Sequence, residues 1–449
     1  MPLTYLLYRC PRCAHDPMGG NGDAAWCPSC GARYVRSGEG GLIRVSTPGG
    51  RLDEVFGHSL ASGVLPESDG GSAISRRAPV TVRRARGAEK PIGFRGETLG
   101  FTEALEEPEE GILEITSDAL ILWGGVEGEP PLDQWALLDI RAVQTTSGAL
   151  QISPITGGVI QFRFQDDSPR RWEDLLHLRI RRRVQAEGLG EILEFQPRIV
   201  VSEDGLARSR PPLSVRGRFP GKEEMEWGFR EPLSWRLGWY GLLRALAWIL
   251  VRLGTRTTVR GIENVPPAGP FILVANHQSV LDPILVQVAC PRPIHTLTKS
   301  TQFGKGIFRW LLPRVNAIPT RRYTVEPQAV RVMIRRLMEG RGVGIYPEGE
   351  RSWDGVLQPF RRGTLRFLLR AGVPVIPCGV SGTYDVWPRW SRKIRRKTVE
   401  INFGRPLAWP RLESRQEAEA RLDEASRELK AALAALGAWT EDGAGSPGA

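Results

Sequence analysis

Between residues 110 and 165 apolar and polar side chains alternate with a period near two. Gly111-Ile112-Leu113-Glu114-Ile115-Thr116 and Ala119-Leu120-Ile121-Leu122-Trp123 flank Ser117-Asp118, which predicts a hairpin, and residues 137–143, 149–152 and 159–164 continue the strands. Ser168-Pro169 then opens a helix carrying Trp172, Leu175, Leu176, His177 and Ile180, with His177 expected beneath it. Several hairpins closed by one helix predict a small β-barrel over 96–190. From residue 256 the pattern changes. Short apolar runs at 271–275, 294–297, 343–346, 373–377 and 398–403 alternate with helical stretches at 283–290, 327–339 and 361–371, which predicts an α/β unit with a mixed sheet. A last helix is expected over 412–437, packed through Leu422, Leu429, Leu433 and Leu436.

The stretches between these blocks read as linkers, 37–95 and 191–232, with a disordered tail at 438–449. Glu67-Ser68-Asp69-Gly70-Gly71-Ser72 holds only turn formers and charges, and Arg208-Ser209-Arg210-Pro211-Pro212 cannot continue a helix. Arg76-Arg77 and Arg83-Arg84-Ala85-Arg86 read as solvated basic runs, with a membrane-surface or nucleic-acid role as the alternative. The apolar stretch 235–253 opens the last unit, 233–437. Arg236, Arg244 and Arg252 interrupt it, and an arginine at the bilayer centre costs about 2.5 kcal/mol or more. With Trp235, Trp239, Tyr240 and Trp248 suited to the headgroup zone, the stretch reads as a helix lying in a membrane interface; the alternative is an amphipathic helix packed on its own unit. The basic cluster 389–397, flanked by Trp387 and Trp390, suits an anionic bilayer or simply a solvated loop.

The 449 residues suffice for two or three domains. Lys plus Arg number 61 against 50 Asp plus Glu, a formal net charge of +11. That excess suits nucleic acid, an anionic membrane or a phosphorylated substrate without choosing among them. Met1 to Arg9 shows no signal pattern, so the expected location is the cytoplasmic face of a membrane, where thiols stay reduced.

Cys10-Pro11-Arg12-Cys13 and Cys27-Pro28-Ser29-Cys30 are two Cys-x-x-Cys knuckles separated by thirteen residues. Four thiolates at this spacing can enclose one tetrahedral zinc ion, and so small a segment, 1–36, would depend on the metal to fold. Two disulfides or a redox pair are the rivals. No face combining aromatic and basic residues is evident, so nucleic-acid binding is not the expectation.

The chemistry gathers at Asn276-His277-Gln278-Ser279-Val280-Leu281-Asp282, where an apolar strand gives way to a helix. In open α/β sheets that edge is where ligands bind. His277 can take a proton from an acceptor hydroxyl while Asp282 holds the imidazole in one tautomer. Five residues apart on a regular helix point about 140° apart, so the pair requires a curl before the helix. The alternative is that Asp282 only caps the helix. A second block, Tyr346-Pro347-Glu348-Gly349-Glu350-Arg351-Ser352, offers a carboxylate, a permissive glycine and an arginine fork suited to a phosphate ester; alone, it also reads as a polar surface turn. Lys299, after the second strand, is a further candidate for an anion. Cys290 and Cys378 lie in apolar segments and are expected in the core.

The histidine, four residues, an aspartate, and later Pro347-Glu348-Gly349-Glu350-Arg351-Ser352 resemble the PlsC-like glycerolipid acyltransferases. Ala317-Ile318-Pro319-Thr320-Arg321-Arg322 is similar to that family's arginine block, and Val373-Pro374-Val375-Ile376-Pro377 to its fourth block. The resemblance covers about 235–435. It implies acyl transfer from acyl-CoA or acyl carrier protein to a lysophosphatidic-acid-like hydroxyl, without a catalytic metal. His277 and Asp282 would be catalytic. Gly349 and Arg351, with Arg322 as first choice, Arg321 as second, and Lys299 unless it is plain surface, would bind the acceptor. Glu348 would either order the turn or contact the acceptor, and apolar surface near the fourth block would take the acyl chain. Glu350 stands where the family has threonine and is expected to place a negative charge near the phosphate. Architecturally, 96–190 resembles a pleckstrin-homology or GRAM-type barrel. The expected architecture is therefore multidomain: zinc ribbon, small β-barrel and α/β acyltransferase unit with a mixed sheet. A non-catalytic membrane adaptor built on the same parts is the other reading.

Overall fold

The computed structural model describes residues 3–440 apart from 11, 14, 23, 37–41, 47–51, 57–75, 86–89, 95–96, 103–104, 125–128, 147, 157, 197, 202–206, 209–238, 304–305, 321–326, 390, 392–393, 408, 413 and 439. The N-terminal strands β1 (Gly19–Asn21), β2 (Ala24–Trp26), β3 (Arg33–Arg36), β4 (Leu42–Ser46) and β5 (Leu52–Phe56) form one antiparallel sheet in chain order. Leu3, Leu6 and Leu7 pack with Cys10, Cys27 and Tyr34 against Trp353 and Tyr384 of the C-terminal half.

A second sheet uses β6 (Arg76–Arg84), β9 (Glu109–Ile115), β10 (Ala119–Trp123), β11 (Asp133–Ala136), β12 (Ile140–Thr146), β13 (Ala149–Pro154) and β14 (Ile160–Phe164), in the order β11-β10-β9-β6-β14-β13-β12. Its two end strands are joined through Leu137–Asp139 alone, so the sheet must curl. Helix α1 (Pro169–Ala186) closes it. Ser168 caps the helix by accepting from the Arg171 N–H, with Pro169 at its start, and Trp172, Leu176, Ile180 and Val184, four residues apart, fill the sheet's concave core. His177 lies beneath the helix as expected, stacked on Phe195 at 3.8 Å.

Four stretches differ from the sequence reading; the first is β4 and β5, which fall in the expected linker 37–95 and carry the N-terminal sheet beyond residue 36. Part of the expected linker 37–95 is strand: β6 sits at the centre of the second sheet, because Ala78, Val80 and Val82 point into its core. Three of its arginines are paired, Arg76 with Asp167, Arg77 with Glu114 and Arg84 with Glu109 and Asp133, while Arg83 is exposed, as read. The hairpin β7 (Lys90–Phe94) and β8 (Glu97–Thr102) departs from this unit, placing Leu99 in the core of the C-terminal unit and Ile92 against Phe303 and Ala317. Finally, the expected linker 191–232 begins with β15 (Glu191–Phe195), β16 (Arg198–Val201) and β17 (Ala207–Arg208), a small sheet tied to α1 through Ile192 and Phe195; residues 209–232 lie outside the described residues.

The C-terminal unit opens with α2 (Trp239–Gly254); Trp235 and Arg236 lie outside the described residues. Its Arg244 faces the domain, donating to the carbonyls of Val288 and Cys290, while Leu242, Leu246, Ile249, Leu250 and Leu253 are all more than half exposed. The remaining elements are β18 (Arg256–Arg260), β19 (Phe271–Ala275), α3 (Asp282–Ala289), β20 (Ile294–Lys299), α4 (Gly306–Arg314), β21 (Ala317–Thr320), α5 (Pro327–Met338), β22 (Gly342–Ile345), α6 (Arg362–Ala371), β23 (Val375–Ser381), α7 (Thr383–Val386), β24 (Thr398–Phe403), α8 (Arg415–Ala420) and α9 (Leu422–Ala435). The sheet runs β18-β24-β23-β19-β22-β20-β21, parallel except between β23 and β24. It is the mixed sheet expected. The expected final helix breaks at Arg421, after a capping box of Ser414 and Glu417; Leu422, Leu429 and Leu433 are buried. Cys290 and Cys378 are buried in the core, as read. Among the described residues no helix is long and apolar enough to cross a membrane.

Candidate active site

Strand β19 is wholly buried between β22 and β23, and the chain leaves its C-terminal end at Asn276. Asn276 locks that exit by donating to and accepting from the backbone of Val380. The next residues make the required curl. The Asp282 carboxylate oxygen Oδ2 accepts from the backbone N–H groups of Gln278 and Ser279 and lies 2.8 Å from His277 Nδ1. Of the two readings the sequence left open, Asp282 follows the first: it holds the imidazole, while the N-cap of α3 is Leu281 and no side chain caps that helix. Because the carboxylate accepts, Nδ1 carries the proton and Nε2 keeps its lone pair. The Tyr346 ring lies against the imidazole at 4.4 Å, a contact the sequence reading did not assign.

The second block wraps the same turn. Glu348 is buried, and its two carboxylate oxygens accept from the backbone N–H groups of His277 and Gln358. Burial pushes this carboxyl well above the usual range, with Asp282 and Asp354 adding to the rise and the two N–H groups opposing it. Glu348 thus holds two chain segments together and does not line the cavity. Gly349 has φ 76°, and a Cβ there would meet the Arg361 side chain at 3.0 Å. The Ser352 N–H donates to the His277 carbonyl, a second tie between the blocks.

His277 and Arg351 line one cavity of about 1280 Å³, with Gly349, Lys299 and Tyr346. Its apolar lining includes Leu297, Val330, Met333, Ile345 and Phe367. The fourth block, expected near the acyl chain, does not line it, because Val375, Ile376 and Pro377 sit buried between β19 and β24. Lys299 lines the cavity but donates to Gln151 of β13. Arg321 and Arg322 lie outside the described residues.

Residues 256–381 match the family model described as Acyltransferase. This stretch is an acyltransferase domain. The chain is similar to a chloroplastic 1-acyl-sn-glycerol-3-phosphate acyltransferase of Brassica napus, 32% identical over 158 residues that cover 34% of this chain and 45% of that protein. It is also similar to human 1-acyl-sn-glycerol-3-phosphate acyltransferase alpha, 28% identical over 159 residues covering 34% of this chain and 56% of the relative. The chain thus spans about half the length of these curated relatives. Among solved structures it is similar to PlsC, the 1-acyl-sn-glycerophosphate acyltransferase of Thermotoga maritima, with a TM-score of 0.37 and 25% identity over 43% of this chain and 78% of that one.

In the acyltransferase domain Glu350 is compensated. Its carboxylate pairs with Arg389 at 3.1 Å and Arg361 at 3.5 Å and accepts from Gln196. The expected bare negative charge beside the phosphate site is thus absorbed by two arginines. Arg389 is accordingly lost from the expected membrane-facing cluster 389–397: it is 3% exposed and donates to Thr145 of β12; Trp390, Arg392 and Lys393 lie outside the described residues. The sequence signals for Arg361 and Arg389 were only charge; besides Glu350 they reach Gln196 and Thr145, which lie on other units.

The sulfur atoms of Cys10, Cys13, Cys27 and Cys30 all lie within 4.8 Å of one another. Cys10 to Cys30 is 3.7 Å and Cys13 to Cys27 3.5 Å, far longer than a disulfide. A tetrahedral zinc with bonds of about 2.3 Å needs sulfur–sulfur edges near 3.8 Å, so the four residues fit that ion.

Proposed function

We propose that this protein moves a fatty acyl group from a thioester, acyl-CoA or acyl carrier protein, to the free hydroxyl of a lysophosphatidic-acid-like acceptor during phospholipid synthesis at a membrane surface. The observation that carries it is the His277–Asp282 pair opening on the same cavity as Arg351. The acceptor hydroxyl gives its proton to His277 Nε2 as its oxygen attacks the thioester carbonyl. The tetrahedral intermediate then expels the thiolate, which the imidazolium can protonate, leaving the histidine neutral again. Asp282 fixes the tautomer and stabilises the imidazolium between these transfers. Arg351, joined by Lys299 and by Arg321 or Arg322 from the neighbouring block, holds the acceptor phosphate and so keeps its hydroxyl near the base. Leu297, Val330, Met333 and Phe367 offer the acyl chain an apolar wall.

The four cysteines would bind a structural zinc ion, the seven-stranded unit would be a pleckstrin-homology-like module, and α2 would lie in the interface of the membrane's cytoplasmic leaflet. The domain reading that follows is a cysteine module from the N-terminus, the β-unit, and an acyltransferase unit from about 233 to 437. The test is acyl transfer to lysophosphatidic acid by wild-type protein and His277→Ala. Turnover that disappears in the variant supports the reading. Equal inertness of both across a panel of lysolipids would leave the adaptor reading in its place.

A further inference from the structure

The wall of the catalytic cavity opposite the acyltransferase sheet is built by the β-unit, which contributes Arg83, Gln151, Gln161 and Arg163. In the register of its strands Gln144 faces Gln151, Gln151 faces Gln161, and Gln161 faces Arg83. Residues directly opposite one another share a sheet face, so these four form one row across β12, β13, β14 and β6. Arg163, two positions along β14, lies on the same face.

The row is polarised. Lys299 can only donate, so the Gln151 group it touches is the carbonyl oxygen, which also accepts from the Gln144 amide at 3.0 Å. The Gln151 amide nitrogen must then donate onward, and it reaches the Gln161 oxygen at 2.8 Å. Both Gln144 and Gln151 are 2% exposed, so this order is held away from water. The chain of amides ends on the Gln161 nitrogen, a donor strengthened by the lysine charge behind it. Arg83 and Arg163 stand beside that donor, exposed and with no carboxylate partner among the described residues.

We propose that this face is an anion subsite for a phosphate group of a substrate in the catalytic cavity, with Gln161, Arg83 and Arg163 supplying the donors. The proposal rests on the acyl-transfer reading for the identity of its ligands. A coenzyme A thioester and a lysophosphatidic acid both carry phosphate oxygens, and the test separates them.

The full-length protein is compared with the double variant Arg83→Gln/Arg163→Gln and with Gln161→Leu. The two arginines are on the surface, so the double variant should fold; its melting temperature checks this. Initial rates are measured with acyl-CoA and lysophosphatidic acid varied in turn. The KM of one of them rises about tenfold in the double variant, with kcat changing far less. A rise for the acceptor assigns the subsite to the acceptor phosphate, and a rise for the donor to the coenzyme A phosphates. Calorimetric titration with coenzyme A, and with a short-chain lysophosphatidic acid, reads the same subsite without turnover. Tenfold weaker binding by the double variant, in a protein whose wild type transfers no acyl group, keeps the subsite and removes the acyl-transfer reading. A folded double variant with wild-type KM values and wild-type binding of both probes overturns the subsite, as does a wild type that binds neither.

Discussion

Arg389 pairs with Glu350 at 3.1 Å while the same guanidinium donates to the Thr145 carbonyl and hydroxyl, joining the loop that carries Glu350 to the β-unit. Thr145 in turn donates to Glu173 of α1. The arginine side chain is 2% exposed and its partner 19%, so removing the nearer cation leaves a carboxylate that water reaches only partly to the longer contact with Arg361 and to Gln196. Arg389→Met should therefore cost about 2–4 kcal/mol in urea unfolding. Adding Glu350→Thr should recover part of that, because the under-compensated charge goes with it, although Arg361 then loses its carboxylate. A cycle showing no coupling between the two positions would mean the pair contributes nothing.

Asp282 accepts two backbone N–H groups besides facing His277, and the asparagine that replaces it keeps the shape but can present its amide N–H to the imidazole. That favours the wrong tautomer. Asp282→Asn should lower kcat for acyl transfer by about a hundredfold or more, with a smaller change in acceptor KM. Arg351→Ala should do the reverse, raising acceptor KM most. Wild-type turnover by Asp282→Asn would remove the aspartate from the mechanism.

The pair was readable in the sequence because five residues and a proline make a local turn, and the Pro347–Ser352 block because it follows a strand. The same holds for the strands and helices that bracket these blocks. What was not readable depends on contacts between units. Nothing near Arg389 announces that Thr145, far away in sequence, will accept hydrogen bonds from its guanidinium, and a charge among other charges reads as surface. Strand β6 carried a signal in the alternation of Ala78, Val80 and Val82, but Pro79 normally demotes a run to an edge, and this one sits between two paired neighbours. The small sheet at 191–208 was lost for a different reason. Its strands are short and lean on α1 rather than on a hydrophobic pattern of their own.

His177 stacks on Phe195, and burial pulls its pKa down to about 3 from the usual 6.5. The unfolded chain therefore binds a proton that the folded one refuses. Stability contributed by the neutral ring is present above about 6.5 and is lost as pH falls toward about 3. His177→Phe keeps an aromatic ring in place and titrates nothing. The difference in unfolding free energy between wild type and variant should shift against the wild type by a few kcal/mol between neutral pH and pH 4. A difference flat across that range would show that the ring protonates freely in the folded state.

Cys10 and Cys27 share an apolar cluster with Trp353, which directly follows Ser352. Tyr384, in the same cluster, donates to the Trp353 carbonyl. If the thiolates hold zinc, stripping it with a chelator should lower the melting temperature and loosen this cluster. Hydrogen exchange in peptides spanning residues 349–357 should then accelerate along with exchange in the cysteine module. Cys27→Ser should reproduce the effect without a chelator. Exchange that rises in the module alone would mean the two parts are mechanically independent.

On α2, Leu242, Leu246, Ile249, Leu250 and Leu253 fall at steps of four, three, one and three, which places them on one side of the helix. Arg244, on another side, is fixed to the Val288 and Cys290 carbonyls and cannot turn away. The helix is therefore anchored with its apolar side outward, the arrangement expected of an interfacial helix. A leucine that enters the acyl boundary contributes about 1–2 kcal/mol. Replacing Leu246 and Leu250 with glutamate should therefore lower co-sedimentation with anionic phospholipid vesicles by more than about tenfold. Both positions are over half exposed, so the melting temperature in solution should hardly move. Undiminished vesicle binding by that variant would place the membrane contact elsewhere on the protein, and Ile307, Phe308 and Trp310 on α4, all exposed, would be the next side chains to change.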